Sequence, residues 1–327
     1  MTIKEIAKAS GVSITTVSRI INNDEDFRVS EKTKNRVIDT IHKLGYVKRN
    51  IGKNKLRYKV GIIKIFENEI EDINAYYSSF YLKIKTKFKE EKIKYEIYSK
   101  NDLEDESFAK LKYLDAIIVV GEAPNKFILN ILRYNKNIIC LDTDIKIDSV
   151  DSVSFDYKLS VKKVVDYLIK QGHSKIALIT GKYNKKDFRE KYFEEITKDR
   201  KILKKTILKI GEFSDESGYK LMLELLKNKK NQPTAIFCGN DNIALGVYKA
   251  IYKYNKKIPD DISVIGFNDN KNAKFLNPPL TTISINLDNI INVAMKLLKE
   301  RIYENRTFTC KVQIQTELIV RKSCKKI

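Results

Sequence analysis

The sequence holds little of what catalysis, metal binding or membrane insertion requires. Only two of its 327 residues are histidine, His42 and His173. His42 falls in a helical pattern, and His173, in QGHSKI, follows a helix end, so both read as structural. The four cysteines, Cys140, Cys238, Cys310 and Cys324, show no C-x-x-C spacing, which removes the usual zinc and dithiol patterns. Cys140 and Cys238 sit in apolar, strand-like runs and are expected to be buried thiols. No glycine-rich phosphate loop and no nucleophile–base motif is present. The expectation is a protein that is not an enzyme and needs no cofactor and no metal. No apolar run approaches the roughly 20 residues of a membrane span. No secretion signal precedes the first helical pattern, so the expected compartment is the reducing cytoplasm.

What is abundant is positive charge. Lysine and arginine number 63 against 42 acidic residues, a formal net charge of +21. Such an excess favours polyanionic partners through long-range attraction, although a composition rich in Lys, Ile, Asn and Tyr contributes to it. Hydrophobic residues make up 43% of the chain, ample for a buried core. The length fits two or three compact units of about 100 to 200 residues each.

Residues 1–47 have the grammar of a helix-turn-helix headpiece. Thr2 and Glu5 are spaced as a capping box, and Ile3, Ile6 and Ala7 recur at helical intervals. Gly11 interrupts the run where a tight turn needs φ > 0. Ser13 is placed to cap a second helix, Ile14 to Ile21. That helix is expected to bury Val17, Ile20 and Ile21 and to leave Ile14, Thr15, Ser18, Arg19 and Asn22 mostly free. Ser30 begins a third helix that turns Val37, Ile41 and Leu44 inward and stops at Gly45. Two short helices about a glycine turn, backed by a third, are the arrangement that places the second helix in a DNA major groove, with a generic three-helix bundle of basic surface as the alternative.

Residues 48–59, KRNIGKNKLRYK from Lys48, are polar and basic and read as a linker. From Val60 short continuous apolar runs alternate with helical patterns: VGIIKIF, YEIYS, AIIVVG, IICLD, DSVSF, IALIT, AIFCGN, ISVIGF and TTISI. Helical segments are expected at Tyr76–Glu91, Tyr157–Gln171, Ser214–Lys227 and Asn242–Tyr254. This pattern predicts an α/β core of parallel sheets covered on both faces. Residues 60–327 are too many for one small sheet, so two doubly wound subdomains are expected.

The motif T-I-K-E-I-A-K-A-S-G-V-S-x-x-T-V-S-R-I-I-N resembles the headpiece of the LacI/GalR family of bacterial transcription regulators. QGHSKIALITG, AIFCGNDNIALGVYKAI, IPDDISVIGFNDN and NPPLTTISIN resemble landmarks of that family's effector-binding core, so the resemblance spans nearly the whole chain. It implies a periplasmic-binding-protein-like core with a small-molecule sugar effector between two subdomains. By this analogy one subdomain is about 60–155 plus 286–306. The other is about 156–285 plus 307–327, the latter holding a C-terminal strand near Lys311–Val320. The chain ends without a heptad tail like the tetramerising tail of the lactose repressor, so a homodimer on a pseudo-palindromic, double-stranded operator is expected.

The resemblance also carries site residues. For DNA they are Thr2, Ser13, Ile14, Thr15, Thr16, Ser18, Arg19 and Asn22. Ile14 can touch a thymine methyl, Thr15 can do that or hydrogen-bond, and Ser13 and Thr16 can donate to phosphate. Capping or packing is the competing role for Thr16 and Ser18. The family's Ala-Arg-x-Leu-like hinge signature is absent, which leaves Leu56 as a candidate minor-groove wedge beside the alternative of a flexible cationic tether. For the effector, the resemblance gives Arg189, Phe213 and Asn268, and position after a strand gives Tyr76, Tyr77, Asp142, Asn240 and Asp241, with a helix or turn cap as the competing role of Asp142. Arg189 matches the family's inducer-binding arginine, with Tyr192 where a glycine is usual and an exposed helix arginine as the alternative. Phe213 aligns with an aromatic that stacks on sugar rings, with core packing as an equal alternative. Of Asn240 and Asp241, one is expected to bind ligand and the other to cap a helix. Asn268 stands where many relatives carry Asp. D-x-R-E near Asp187, GEFSDESGY and GFND are most similar to the galactose- and galactoside-responsive branch. The implied function is a repressor of a sugar-utilisation operon released by such an inducer. A response to another sugar, a nucleobase or a phosphoprotein corepressor stands as the alternative. A sugar-binding protein without regulatory output is the competing class.

Overall fold

The computed structural model describes residues 2–22, 24, 27–44, 46, 58–66, 71–104, 107–182, 187–198, 200–203, 205–228 and 232–327. Three helices come first: α1 (Ile3–Ser10), α2 (Ile14–Ile21) and α3 (Glu31–Leu44). Their small core is Ile6, Ala7, Val17, Ile20 and Val37, with Ile21, Ile41 and Leu44 packed partly buried against it. Linker residues 48–57, with Leu56, lie outside the described residues, as do Gly45 and the side chain of His42, while Lys59 at the linker's expected end already belongs to the first strand.

Two compact units follow the contacts of the chain. The first takes Met1–Ile70, Asn74–Ser154 and Asp288–Val312, the second Glu71–Ile73, Phe155–Leu287 and Gln313–Ile327. The sheet of the first unit contains β1 (Lys59–Lys64), β2 (Lys94–Ser99), β3 (Ala116–Val120), β4 (Ile138–Leu141), β5 (Asp151–Phe155) and, from the far end of the chain, Lys311–Ile314. Its order is Lys311–Ile314, β5, β4, β3, β1, β2. Helices α4 (Glu71–Glu91) and α5 (Asn125–Leu132) connect its strands. The second unit carries β6 (Lys175–Gly181), β7 (Lys205–Gly211), β8 (Ala235–Cys238), β9 (Ser263–Asn268) and β10 (Thr281–Ser284), with α6 (Tyr157–Lys170), α7 (Phe188–Lys198), α8 (Asp215–Lys227) and α9 (Asp241–Lys253) between them. A last helix, α10 (Leu287–Tyr303), leads to β11 (Lys311–Ile314) and β12 (Glu317–Ile319). The second sheet has the order β12, β10, β9, β8, β6, β7. In both sheets the first strand of the unit lies between the second and third. That is the topological switch point, and ligands bind outside the carboxyl ends of strands there.

The long apolar runs became central strands. β3, β4, β5 and β8 are buried at every residue, as parallel strands covered on both faces require. β7 was not among the expected strands. It is the edge of its sheet, and Lys205, Thr206 and Lys209 interrupt its aliphatics, which weakens the apolar signal.

The C-terminal strand differs from expectation. The run Lys311–Val320 is two strands in two sheets. Cys310 O accepts from Ser152 N at 2.9 Å, which ties β11 to the first sheet. β12 pairs antiparallel with β10 in the second sheet. The crossing therefore falls after Val312 rather than before residue 307. The reason is a pairing that strand-like composition does not encode.

Candidate functional site

In the headpiece the local chemistry sets which residues stay available. Thr2 N donates to Glu5 Oε2 at 2.7 Å and Glu5 N to Thr2 Oγ1 at 3.4 Å, closing the capping box. Gly11 sits at φ 65, where a Cβ is disfavoured, and ends α1. Ser13 Oγ accepts from Thr16 N at 3.0 Å and shares a 2.8 Å hydrogen bond with Thr16 Oγ1. Thr2, Ser13 and Thr16 are thus engaged as caps. Ile14 is 48% exposed, Thr15 and Arg19 are also exposed, and Ser18 and Asn22 are half-buried. The Arg19 guanidinium lies 5.3 Å from the centre of the Phe27 ring and 3.9 Å from Asp24. An exposed pair at that distance holds it weakly. Ile14, Thr15 and Arg19 therefore form the open face of α2.

The second unit brings several of the expected effector residues together. Asp187 precedes α7 and receives Arg189 N at 2.9 Å, Arg189 Nε at 2.8 Å and Arg189 Nη2 at 2.9 Å. This bidentate fork fixes the guanidinium plane. Arg189 is buried, and its Cζ lies 4.9 Å from the ring centre of Phe213, 5.1 Å from Phe267 and 5.6 Å from Tyr157. Tyr157 and Phe267 stack with planes 9° apart. A cation among three ring faces gains from their quadrupoles as water is excluded. Phe213 is held from two sides. A Cβ on Gly181 would approach its ring to 2.6 Å, so only glycine admits the ring that close. Asn240 Nδ2 donates to Phe213 O at 3.0 Å, while Asn240 Oδ1 caps α9 by accepting from Ile243 N at 2.7 Å.

Of the pair expected to divide ligand binding and capping, Asn240 is the cap and Asp241 is bonded within the fold. Asp241 is buried, with Thr282 Oγ1 donating to Oδ1 at 2.6 Å and Asn270 N donating to Oδ2 at 2.6 Å, so both its oxygens serve the fold. Asn268 ends β9 at φ 101, a backbone conformation that asparagine tolerates better than most residues, and is half-buried. In the first unit, Tyr76 and Tyr77 pack edge to face at 5.1 Å, and Tyr77 stacks on Phe66 at 4.9 Å. Asp142 follows β4 at φ 56, is buried, and its N–H donates to Val153 O at 3.1 Å.

Comparison with known proteins decides the family. Residues 2–49 match "Bacterial regulatory proteins, lacI family", and residues 165–324 match "Periplasmic binding protein-like domain". The HTH-type transcriptional repressor PurR of Haemophilus influenzae is 33% identical over 351 residues, 100% of this chain and 99% of that one. The chain belongs to the LacI family. The HTH-type transcriptional regulator GalR of Streptococcus thermophilus is 29% identical over 334 residues, 99% of each chain. The fold of the lac repressor dimer bound to operator and the anti-inducer ONPF matches with a TM-score of 0.71 and 21% identity over 99% of both chains.

This LacI-family regulator is therefore a DNA-binding transcriptional regulator. Its relatives are regulators rather than enzymes, and among the described residues no group of three or more His, Cys, Asp and Glu could hold a metal ion. No helix among the described residues is long and apolar enough to cross a membrane. His173 is buried, with its Nδ1 sharing a 2.9 Å hydrogen bond with Thr234 Oγ1, and burial holds its pKa below the usual value.

Reading by residue type did not find Tyr157 or Phe267. Tyr157 opens α6 and Phe267 sits inside an apolar strand, so each had the look of ordinary packing. The only signal was position at a strand end.

Burial pushes the Asp241 carboxyl up to about 7, against the lowering hydrogen bonds from Thr282 and Asn270 and with Asp269 nearby raising it further. The folded state thus takes up a proton that the unfolded chain has released. The resulting stabilisation is full below the ordinary carboxylate pKa of about 4 and is lost as pH rises towards 7. Asp241→Asn should flatten stability over that interval in denaturant titrations run at a series of pH values. An unchanged slope would assign the pH dependence elsewhere.

Proposed function

We propose that this LacI-family regulator represses a sugar-utilisation operon and is released by a galactose- or galactoside-type inducer. The observation that carries the sugar reading is the Asp187-forked Arg189 guanidinium set among Phe213, Phe267 and Tyr157. Flat apolar faces suit the C–H faces of a pyranose, and the guanidinium edge that Asp187 does not engage suits its hydroxyls. The ligand complexes of structural relatives include cellobiose and ribose, which supports the class of ligand. The galactoside assignment rests on the GEFSDESGY and GFND segments.

The experiment is thermal unfolding of the full chain against galactose, lactose, melibiose, raffinose, other sugars and purines. A ligand at a hundred times its Kd should add about 2.7 kcal/mol. A selective rise with a galactoside is expected. A rise with purines alone would replace the sugar reading with a nucleobase one, and no rise with any sugar would overturn it.

The working state in this reading is a homodimer, so that two headpieces meet two half-sites. Its support on this chain is the outer face of α9, where Leu245 and Tyr252, seven residues apart, are both 44% exposed. Residues at that spacing share one helix face, and exposed apolar stripes mark association surfaces. Leu245→Arg should convert the dimer to a monomer in sedimentation and weaken operator binding. A dimer that survives the change would move the interface off α9.

A further inference from the structure

We infer that the rim of the first sheet nearest the headpiece, where the central strands β3 and β4 begin, is a second DNA-contacting surface, which takes backbone phosphates flanking the half-site read by α2. The inference rests on the DNA-reading role of the headpiece. Two loops build this rim. One is the short 3-10 segment Ser107–Tyr113 leading into β3, and the other is the turn between α5 and β4. Buried Asn135 locks them together: its Nδ2 donates to Leu111 O at 3.2 Å and to Leu114 O at 2.7 Å, and its Oδ1 accepts from Asn137 N at 2.9 Å. Asn137 Nδ2 adds a bond to Asp115 O at 2.9 Å. The result is a rigid turn rather than a loose loop.

This turn presents cations. Arg133 and Lys136 are exposed, and among the described residues neither makes an ion pair or a cation–π contact. The acidic groups near them are engaged: Asp115 Oδ2 accepts from Lys59 N at 2.8 Å, Asp148 pairs with Lys311 at 2.9 Å, and Asp39 pairs with Lys112 at 2.6 Å. The last pair joins the rim to headpiece helix α3. A groove of about 640 Å³ runs between them, lined by Ile38 and Ile41 of α3 and by Tyr113, Arg133 and Lys136 of the rim. The cationic rim is thus continuous with the DNA-reading domain. Phosphate contacts of this kind add affinity and register without reading sequence. Arg133 suits the role, because guanidinium forks match phosphate oxygens.

The test pairs Arg133→Glu with Lys136→Glu in the full-length protein. Both residues are exposed, so the unfolding temperature should not move. The probe is a duplex of about 40 base pairs carrying a site selected from a random library, compared with the same site trimmed to its two half-sites. On the long duplex the double variant should lose roughly tenfold or more in affinity at 0.1 M salt, with a salt slope shallower by about 2 per protomer. On the trimmed duplex it should match the parent. Arg19→Ala should weaken both duplexes. Identical slopes for parent and double variant on the long duplex would overturn the inference. Equal losses on both duplexes would also overturn it, by assigning these residues to headpiece placement. A selection that enriches no sequence would overturn the DNA-reading role itself, and this surface with it.

Discussion

Arg189→Ala should abolish the ligand-induced rise in unfolding temperature while leaving operator affinity within a few-fold of the parent. The guanidinium is the charged donor set held among the rings of Phe213, Phe267 and Tyr157. A hydrogen bond to a charged group contributes about 1.5–3 kcal/mol, so losing a two-pronged contact should weaken the ligand by roughly a hundredfold or more. The variant also leaves the Asp187 carboxylate without its fork, so the ligand-free protein should melt earlier. The informative quantity is therefore the difference between melts with and without sugar. Arg189→Lys separates charge from shape, because an ammonium keeps the charge and cannot make the planar fork. It should recover stability better than ligand binding. In the proposed inducer reading, coupling between sugar and DNA is reciprocal, so a variant that cannot bind sugar should stay on the operator at sugar concentrations that release the parent. Full sugar response in Arg189→Ala would remove this residue from the effector site.

Asp151→Ala should cost the most stability of any single change considered. Asp151 begins β5 with a fully buried side chain. Arg301 Nε donates to it at 2.8 Å, Arg306 Nη2 at 2.6 Å and Cys310 N at 2.7 Å. Arg306 in turn reaches Glu300 at 2.9 Å. One carboxylate thus joins β5, the end of α10 and the residue before β11. Removing a single partner from a buried ionic cluster leaves charges without compensation and costs about 3–5 kcal/mol. At about 2–4 °C per kcal/mol, the first unit should melt on the order of 10 °C lower. The acid limb supplies a second check. Burial alone would raise the Asp151 pKa, but the hydrogen bonds from Arg301 and Arg306 outweigh it and hold the pKa below the usual carboxylate value. A lowered folded pKa contributes stability above the ordinary carboxylate pKa, and that contribution is lost as pH falls through the folded value. Parent and variant should therefore converge in strong acid and diverge above about pH 4. A variant as stable as the parent at neutral pH would show that the cluster is replaceable.

How far sequence reading reached depended on how local each cause was. The headpiece was readable almost residue by residue. A cap bonds three residues ahead, a helix face repeats every three or four, and Gly11 acts on its own φ. The same holds for the central strands, whose continuous apolar runs mark burial on both faces. Arg189 and Phe213 were singled out by family likeness and Asn240 by its place between a strand and a helix, and the structure places them in one neighbourhood. Asp241 shows the limit of that route. Its place after a strand suited a ligand contact as well as a fold contact, and only its bonds to Thr282 and Asn270 separate the two.

The sequence by itself determined the helix-turn-helix, the alternation of strand and helix, and the family, because these follow from local spacing and from motifs long enough to be specific. The tertiary structure alone decided which distant residues meet. It put Tyr157 and Phe267 beside Arg189, divided Lys311–Val320 between two sheets, and set Asp151 against Arg301 from 150 residues away. A buried charge or an aromatic face is satisfied by whatever the folded backbone brings within a few ångströms. Order along the chain carries almost no record of that choice.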